Sequence, residues 1–165
     1  MTARNSISDA VALFSPDRKY RYVLRRRVGF GDRSVLVVML NPSTADHERN
    51  DNTVRRVIGF VNGYGFSLLT VCNAFALKST DPKELYRAID PVGPDNDEHL
   101  EREARSAEVV IAGWGNHGAL FGRSMIVRTL LRRVKPQIYC WDLTSIGEPC
   151  HPLFLPKTRP LMLLP

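Results

Sequence analysis

Cysteine is scarce in this chain and falls in no recognisable pattern: Cys72, Cys140 and Cys150 form neither a Cys-x-x-Cys pair nor an even set. A disulfide framework, a structural zinc site and an iron-sulfur cluster are therefore unsupported, and no metal or cofactor is expected. Long apolar runs are missing too. None approaches the roughly 18 to 20 residues that cross a bilayer, and the start, MTARNSISDAVALF, lacks a signal-peptide core, so a soluble, cytoplasmic protein with no membrane partner is expected. Lysine is sparse: five lysines stand against 18 arginines in a chain of net charge +6. Guanidinium forks suit phosphate, which points to DNA as a partner unless the arginines are only a scattered, solvated surface. There is no internal repeat and no low-complexity tract.

What is present is a succession of apolar runs separated by helical patterns. With 165 residues, 44% of them hydrophobic, the chain is read as a single domain over 1–165 with one real core. In KYRYVLRRRVGFGDRSVLVVML, Tyr20, Tyr22 and Leu24 alternate with basic residues, and the chain then turns at Gly29 to Asp32, a hairpin-like start over 18–40. The six apolar residues from Val35 to Leu40 read as a strand covered on both faces. Val54, Val57, Ile58 and Val61 follow helical spacing behind Asp51, predicting a helix over about 51–62. Further strands are expected at Ser67 to Cys72, in EVVIAGWG and in QIYCWDL. Helices are expected after the Asp81-Pro82 and Asp95 cap patterns, the second continuing from Leu100 to Ala107, and through Leu120, Met125 and Leu130. The tail, 144–165, holds five of the 11 prolines and must be mostly extended or turning. Strands alternating with helices imply an α/β fold, a three-layer α/β/α arrangement around a short, mostly parallel central sheet.

Three loops then converge on the carboxyl edge of that sheet, where open α/β sheets bind ligands. Asn41-Pro42-Ser43 follows the first apolar strand, Cys72-Asn73-Ala74 the second, and Cys150-His151-Pro152 lies beyond the last. Each offers a polar side chain to a planar heterocycle, although Asn41 and Asn73 can equally be turn residues and His151 a packed loop residue. Trp114, after Gly113, can stack a base or fill the core. Arg25, Arg26, Arg27 and Arg159 are candidate phosphate contacts or a solvated face. Asp46 and Asp51 share a loop with Asn41 and could supply a base, though Asp51 also fits a helix N-cap.

At this level MLNPSTAD, NAFALKSTDP, DPVGPDND, AGWG and HPLFLP resemble the family catalogued as domain of unknown function 1643, over nearly the whole chain. More distantly, the order strand-Asn-Pro, strand-Asn and a late His-Pro is similar to the uracil-DNA glycosylase superfamily, an α/β fold with a short parallel sheet. That resemblance implies cleavage of the N-glycosidic bond of a uracil-like or modified base in DNA. It makes Asn41 the residue that positions the attacking water, Asn73 the reader of the pyrimidine edge and His151 the group that stabilises the departing base. Leu153 or Phe154 would be the wedge that fills the emptied stack. Pro42, Ser43 and Trp114 are further residues expected against the base from their places in these loops. The chain departs from the superfamily pattern in having Met39 and Ser43 where glycines flank x-Asn-Pro, and His-Pro-Leu-Phe for His-Pro-Ser-Pro. A non-catalytic binder of bases or nucleic acid, and an enzyme on free nucleosides or nucleotides, are the alternatives.

Overall fold

A computed structural model describes residues 10–165; residues 1–9, most of the segment read for a signal peptide, lie outside the described residues. The strands are β1 (Ala10–Phe14), β2 (Arg21–Arg27), β3 (Ser34–Met39), β4 (Leu68–Asn73), β5 (Val109–Ala112), β6 (Tyr139–Cys140) and β7 (Met162–Leu163). The helices are α1 (Asn52–Gly63), α2 (Glu84–Arg87), α3 (Asn96–Ser106) and α4 (Arg123–Arg132). Short 3-10 segments occupy Asn116–Gly122 and Pro152–Phe154. No helix among the described residues is long and apolar enough to cross a membrane.

All seven strands form one sheet in the order β1-β2-β4-β3-β5-β6-β7. The central strands β4, β3, β5 and β6 run parallel, while β1, β2 and β7 are added antiparallel at the two sides. The sheet is thus mixed and longer than the short, mostly parallel one expected. The extra strands are short: β1 is the five-residue AVALF near the start, and β7 is two residues inside the proline-rich tail.

The hairpin-like start is also replaced. β2 does not pair with β3; it pairs with β1 and β4, and β4 lies between β2 and β3. The cause is the double-sided apolar character of β3, which is satisfied only at the sheet centre, with a parallel neighbour on each edge. Val35, Val37 and Met39 pack toward Val54, Val57, Phe60 and Val61 of α1. Leu36, Val38 and Leu40 pack on the other face with Leu100 and Ala104 of α3 and Val127 and Leu131 of α4. Each such side chain contributes roughly 1.5–3 kcal/mol on burial. Helices therefore cover both faces, as the alternation of strands and helices implies.

Helix α1 begins where the spacing predicts, with the Asp51 carboxylate accepting from the Val54 N–H at 2.8 Å. Helix α4 starts later than its apolar pattern, at Arg123, because Phe121 (φ 54°) and Gly122 (φ 66°) turn the chain left-handed just before it. QIYCWDL contributes only Tyr139 and Cys140 to the sheet.

Candidate functional site

The chain passes from β3 to β4 on one side and then to β5 on the other side of β3, so the direction of winding reverses there. A crevice opens at the carboxyl ends of strands at such a reversal. Asn41 follows β3 by two residues, and Asn73 is the last residue of β4, paired with Met39. The third segment is brought in by the stretch after β5: the Gly115 N–H donates to the Pro149 carbonyl at 2.8 Å. Asn41, Pro42, Ser43, Asn73 and His151 thereby line one cavity of about 40 Å³, which Arg21, Asp51 and Thr53 also line. That volume holds two or three waters. A heterocycle is larger than this, so one enters only if the lining moves outward.

Within this cavity the two asparagines are in opposite states. The Asn41 amide nitrogen donates to the carbonyls of Ser79 (3.0 Å), Pro42 (3.2 Å) and Leu77 (3.4 Å), which fixes the amide orientation. Its Oδ1 makes no hydrogen bond among the described residues and can accept one from a water. Asn73 is 1% exposed, and among the described residues both its Nδ2 and Oδ1 are buried without a partner. Leaving such a group unpaired costs about 1–3 kcal/mol, so an orphaned amide at a cavity wall is the signature of a site that a ligand or water completes. The Asn73 backbone is held from behind by Asn96, whose Nδ2 donates to the Asn73 carbonyl at 2.9 Å.

His151 caps the 3-10 turn Pro152–Phe154, its Nδ1 accepting from the Leu153 N–H at 3.3 Å. The neutral imidazole must then carry its proton on Nε2, leaving that N–H as the free donor. Burial pulls the His151 pKa below its ordinary value, with the Asp51 carboxylate pulling the other way, so the neutral form is favoured. Asp51 serves two ends: one oxygen caps α1, and the residue lines the cavity. Asp46 only closes a turn, accepting from the N–H groups of Glu48 (2.9 Å) and Arg49 (2.8 Å).

Other residues read as site candidates lie elsewhere. Trp114 is 1% exposed, a core residue whose Nε1 donates to Glu148 at 2.7 Å, and it does not line the cavity. Arg27 pairs with Leu68, the first residue of β4, whereas Asn73 is its last, so the arginine run extends toward the amino end of β4, roughly 17 Å of strand away. Arg25 is spent on Glu103, and Arg26 donates to Asn50 Oδ1 and to the backbone carbonyls of Arg25, Asp46 and Arg49. Arg27 donates to the Gly31 carbonyl. Arg159 pairs with Asp142 at 3.3 Å. Leu153 lies instead in a groove of about 410 Å³ against α1, and Phe154 beside it is 86% exposed.

Sequence reasoning missed Arg21 and this groove. In the alternating segment Arg21 sits where a solvated residue is expected, yet it is 2% exposed because the loop after β3 folds over it. Its Nη1 donates to the Ala45 carbonyl at 2.8 Å, its Nε has no partner, and burial draws its pKa down to about 10. The groove is lined by Arg55, Arg56 and Lys157 along with Asn52, Phe60 and Leu153. Its signal was the Arg55-Arg56 pair on the polar side of α1, legible only once the tail is known to return there. Among the described residues no group of three His, Cys, Asp or Glu side chains is placed to hold a metal ion.

The family model described as "Protein of unknown function (DUF1643)" matches residues 21–153. The chain belongs to this family. The matched span includes every residue lining the cavity, from Arg21 to His151, while Phe154, Lys157 and Arg159 fall beyond it. No curated protein and no solved structure matches the chain.

Proposed function

We propose that the protein hydrolyses the N-glycosidic bond of a uracil-like or modified base in DNA, on a fold related to the uracil-DNA glycosylases. The observation that carries this reading is the buried, unpartnered amide of Asn73, in one cavity with Asn41 and His151. An amide offers donors and an acceptor side by side, matching the carbonyl and ring N–H of a uracil-like edge. The Nε2–H of neutral His151 donates to the ring oxygen on which charge collects as the bond breaks. Asn41 Oδ1 orients a water, and Asp51, sharing that cavity, takes the proton that an amide cannot.

In this scheme the water oxygen bonds to the anomeric carbon and the carbon–nitrogen bond breaks, its electron pair passing to the ring. Asp51 holds the water's proton, and the released ring anion is protonated by solvent. Phe154 is the exposed apolar wedge, and Arg55 and Lys157 in the adjoining groove take the role of phosphate contacts in place of Arg25, Arg26 and Arg27.

A second reading, an enzyme on free nucleosides or nucleotides, is favoured by the internal use of Arg25 and Arg26, which removes part of the expected basic face. Incubation with duplexes that each carry one modified base, followed by alkaline cleavage at abasic sites, tests the first reading. Nucleoside hydrolysis followed by chromatography tests the second. Strand scission at one modified base supports the DNA reading; release from nucleosides alone replaces it, and release from neither ends both.

A further inference from the structure

The group in this cavity that the glycosylase reading leaves unused is Arg21. A guanidinium 2% exposed on a strand ordinarily stands against a carboxylate, because burying an uncompensated charge is costly. Here the only hydrogen bond is to the Ala45 carbonyl, and no carboxylate lies within ion-pair distance among the described residues. Asp51 and Asp46 act on it only at longer range, opposed by Arg26, while the nearby Cys72 thiol is kept protonated by burial. Arg21 Nε and the two amide atoms of Asn73 are thus buried polar atoms without partners on residues that line the same small cavity. Among the described residues the one carboxylate facing that cavity is Asp51, and burial favours the neutral form of the His151 that faces it. A dianion such as phosphate would meet Asp51 repulsively. A single oxygen bearing partial or unit negative charge would meet Arg21, and its neighbouring N–H would meet Asn73.

We propose that Arg21 is the donor for a ring carbonyl oxygen, so that the ligand of this cavity is a lactam or imide heterocycle and not a phosphate or a carbonyl-free ring. The proposal rests on the reading of the cavity as a base site and adds Arg21 to the residues that touch the base. As the glycosidic bond breaks, that oxygen gains charge and its hydrogen bond to the guanidinium strengthens.

The test is a side-chain NMR titration of the full chain with free uracil, inorganic phosphate and unsubstituted pyrimidine, reading the Arg21 Nε–H and Asn73 amide signals. Uracil is expected to shift both signals, and phosphate and pyrimidine neither. Arg21→Met should weaken uracil binding at least tenfold, with Arg21→Lys, which keeps the charge and loses the planar fork, between the two. Uracil shifting Asn73 alone, phosphate binding as tightly as uracil, or no binding of uracil would each overturn the assignment. If Arg21→Met fails to fold, the wild-type titration alone decides. Base release by wild type that Arg21→Met leaves undiminished would overturn Arg21 while sparing the glycosylase reading. Uracil bound through Arg21 with no base release would do the reverse.

Discussion

Asn41 and Asn73 differ in what surrounds the amide, and this makes opposite predictions for the same substitution. Asn41 donates to three carbonyls, and a carboxylate can only accept, so Asn41→Asp sets negative charge against carbonyl oxygens. A loss of about 1–3 kcal/mol in chemical denaturation is expected, with no gain in activity. At Asn73 no such bonds exist among the described residues, and a carboxylate there would share the cavity with the Arg21 guanidinium, so Asn73→Asp should leave the midpoint nearer that of wild type while altering ligand preference. His151 supplies a pH dependence. Its folded pKa is depressed by burial below the ordinary 6.5, so the unfolded chain binds the extra proton first as pH falls. Stability is then full above about 6.5 and declines on acidification through the folded pKa. His99, also depressed by burial, acts with the same sign, so the His151 share is the difference between the melting profiles of wild type and His151→Gln from pH 8 to 5. Equal profiles would contradict a buried neutral His151. Asn41 and Asn73 were legible because each ends an apolar run, and His151 because it stands in a His-Pro pair beyond the last one; Arg21 was not, since alternation marks its face as solvated and only the fold of the distant loop covers it.

At the scale of elements, the segment from Asn41 to Asp51 is held down by β2. Arg21 binds the Ala45 carbonyl, and Arg26 binds the carbonyls of Asp46 and Arg49 and the side chain of Asn50. Arg26→Met should therefore free this loop. Limited proteolysis is expected to cut between 44 and 51 several times faster than in wild type, and an unchanged digestion pattern would show that the arginine is dispensable. On the opposite side, a Cβ on Gly118 would clash with the Trp114 ring, which is fixed by Glu148. Gly118→Ala should cost roughly 1–3 kcal/mol and lower the Tm by roughly 3–10 °C. Helix α1 was readable from its spacing and Asp51 cap because both are local signals. The antiparallel strands β1 and β7 were not, since they are specified by edges available for pairing, and the turn at Gly29 to Asp32 looked like a hairpin only because β4 comes later in the chain.

For the whole molecule, composition predicted a basic protein but not where the charge is usable. Arg25, Arg26 and Arg159 are committed to internal partners, while Arg55, Arg56 and Lys157 line a groove with Leu153, the residue before the exposed Phe154. If DNA lies there, affinity should fall linearly on logarithmic axes with salt, and the double substitution Arg55→Ala, Lys157→Ala should reduce the slope by about 2. Arg25→Ala should leave the slope unchanged, and filter binding across a salt series checks both. Parallel strands β4-β3-β5-β6 place the cavity at their carboxyl edge, β2 supplies Arg21 from one side, and the stretch after β5 holds the segment of His151 through the Gly115–Pro149 hydrogen bond. The most direct test of the central claim is base release from matched oligonucleotides, each with a different modified base, by wild type and Asn73→Asp at one salt concentration. Wild type is expected to release one uracil-like base, and Asn73→Asp to lose about tenfold or more on that base while binding DNA nearly as well. No release by wild type, or the same base preference in both proteins, would contradict it.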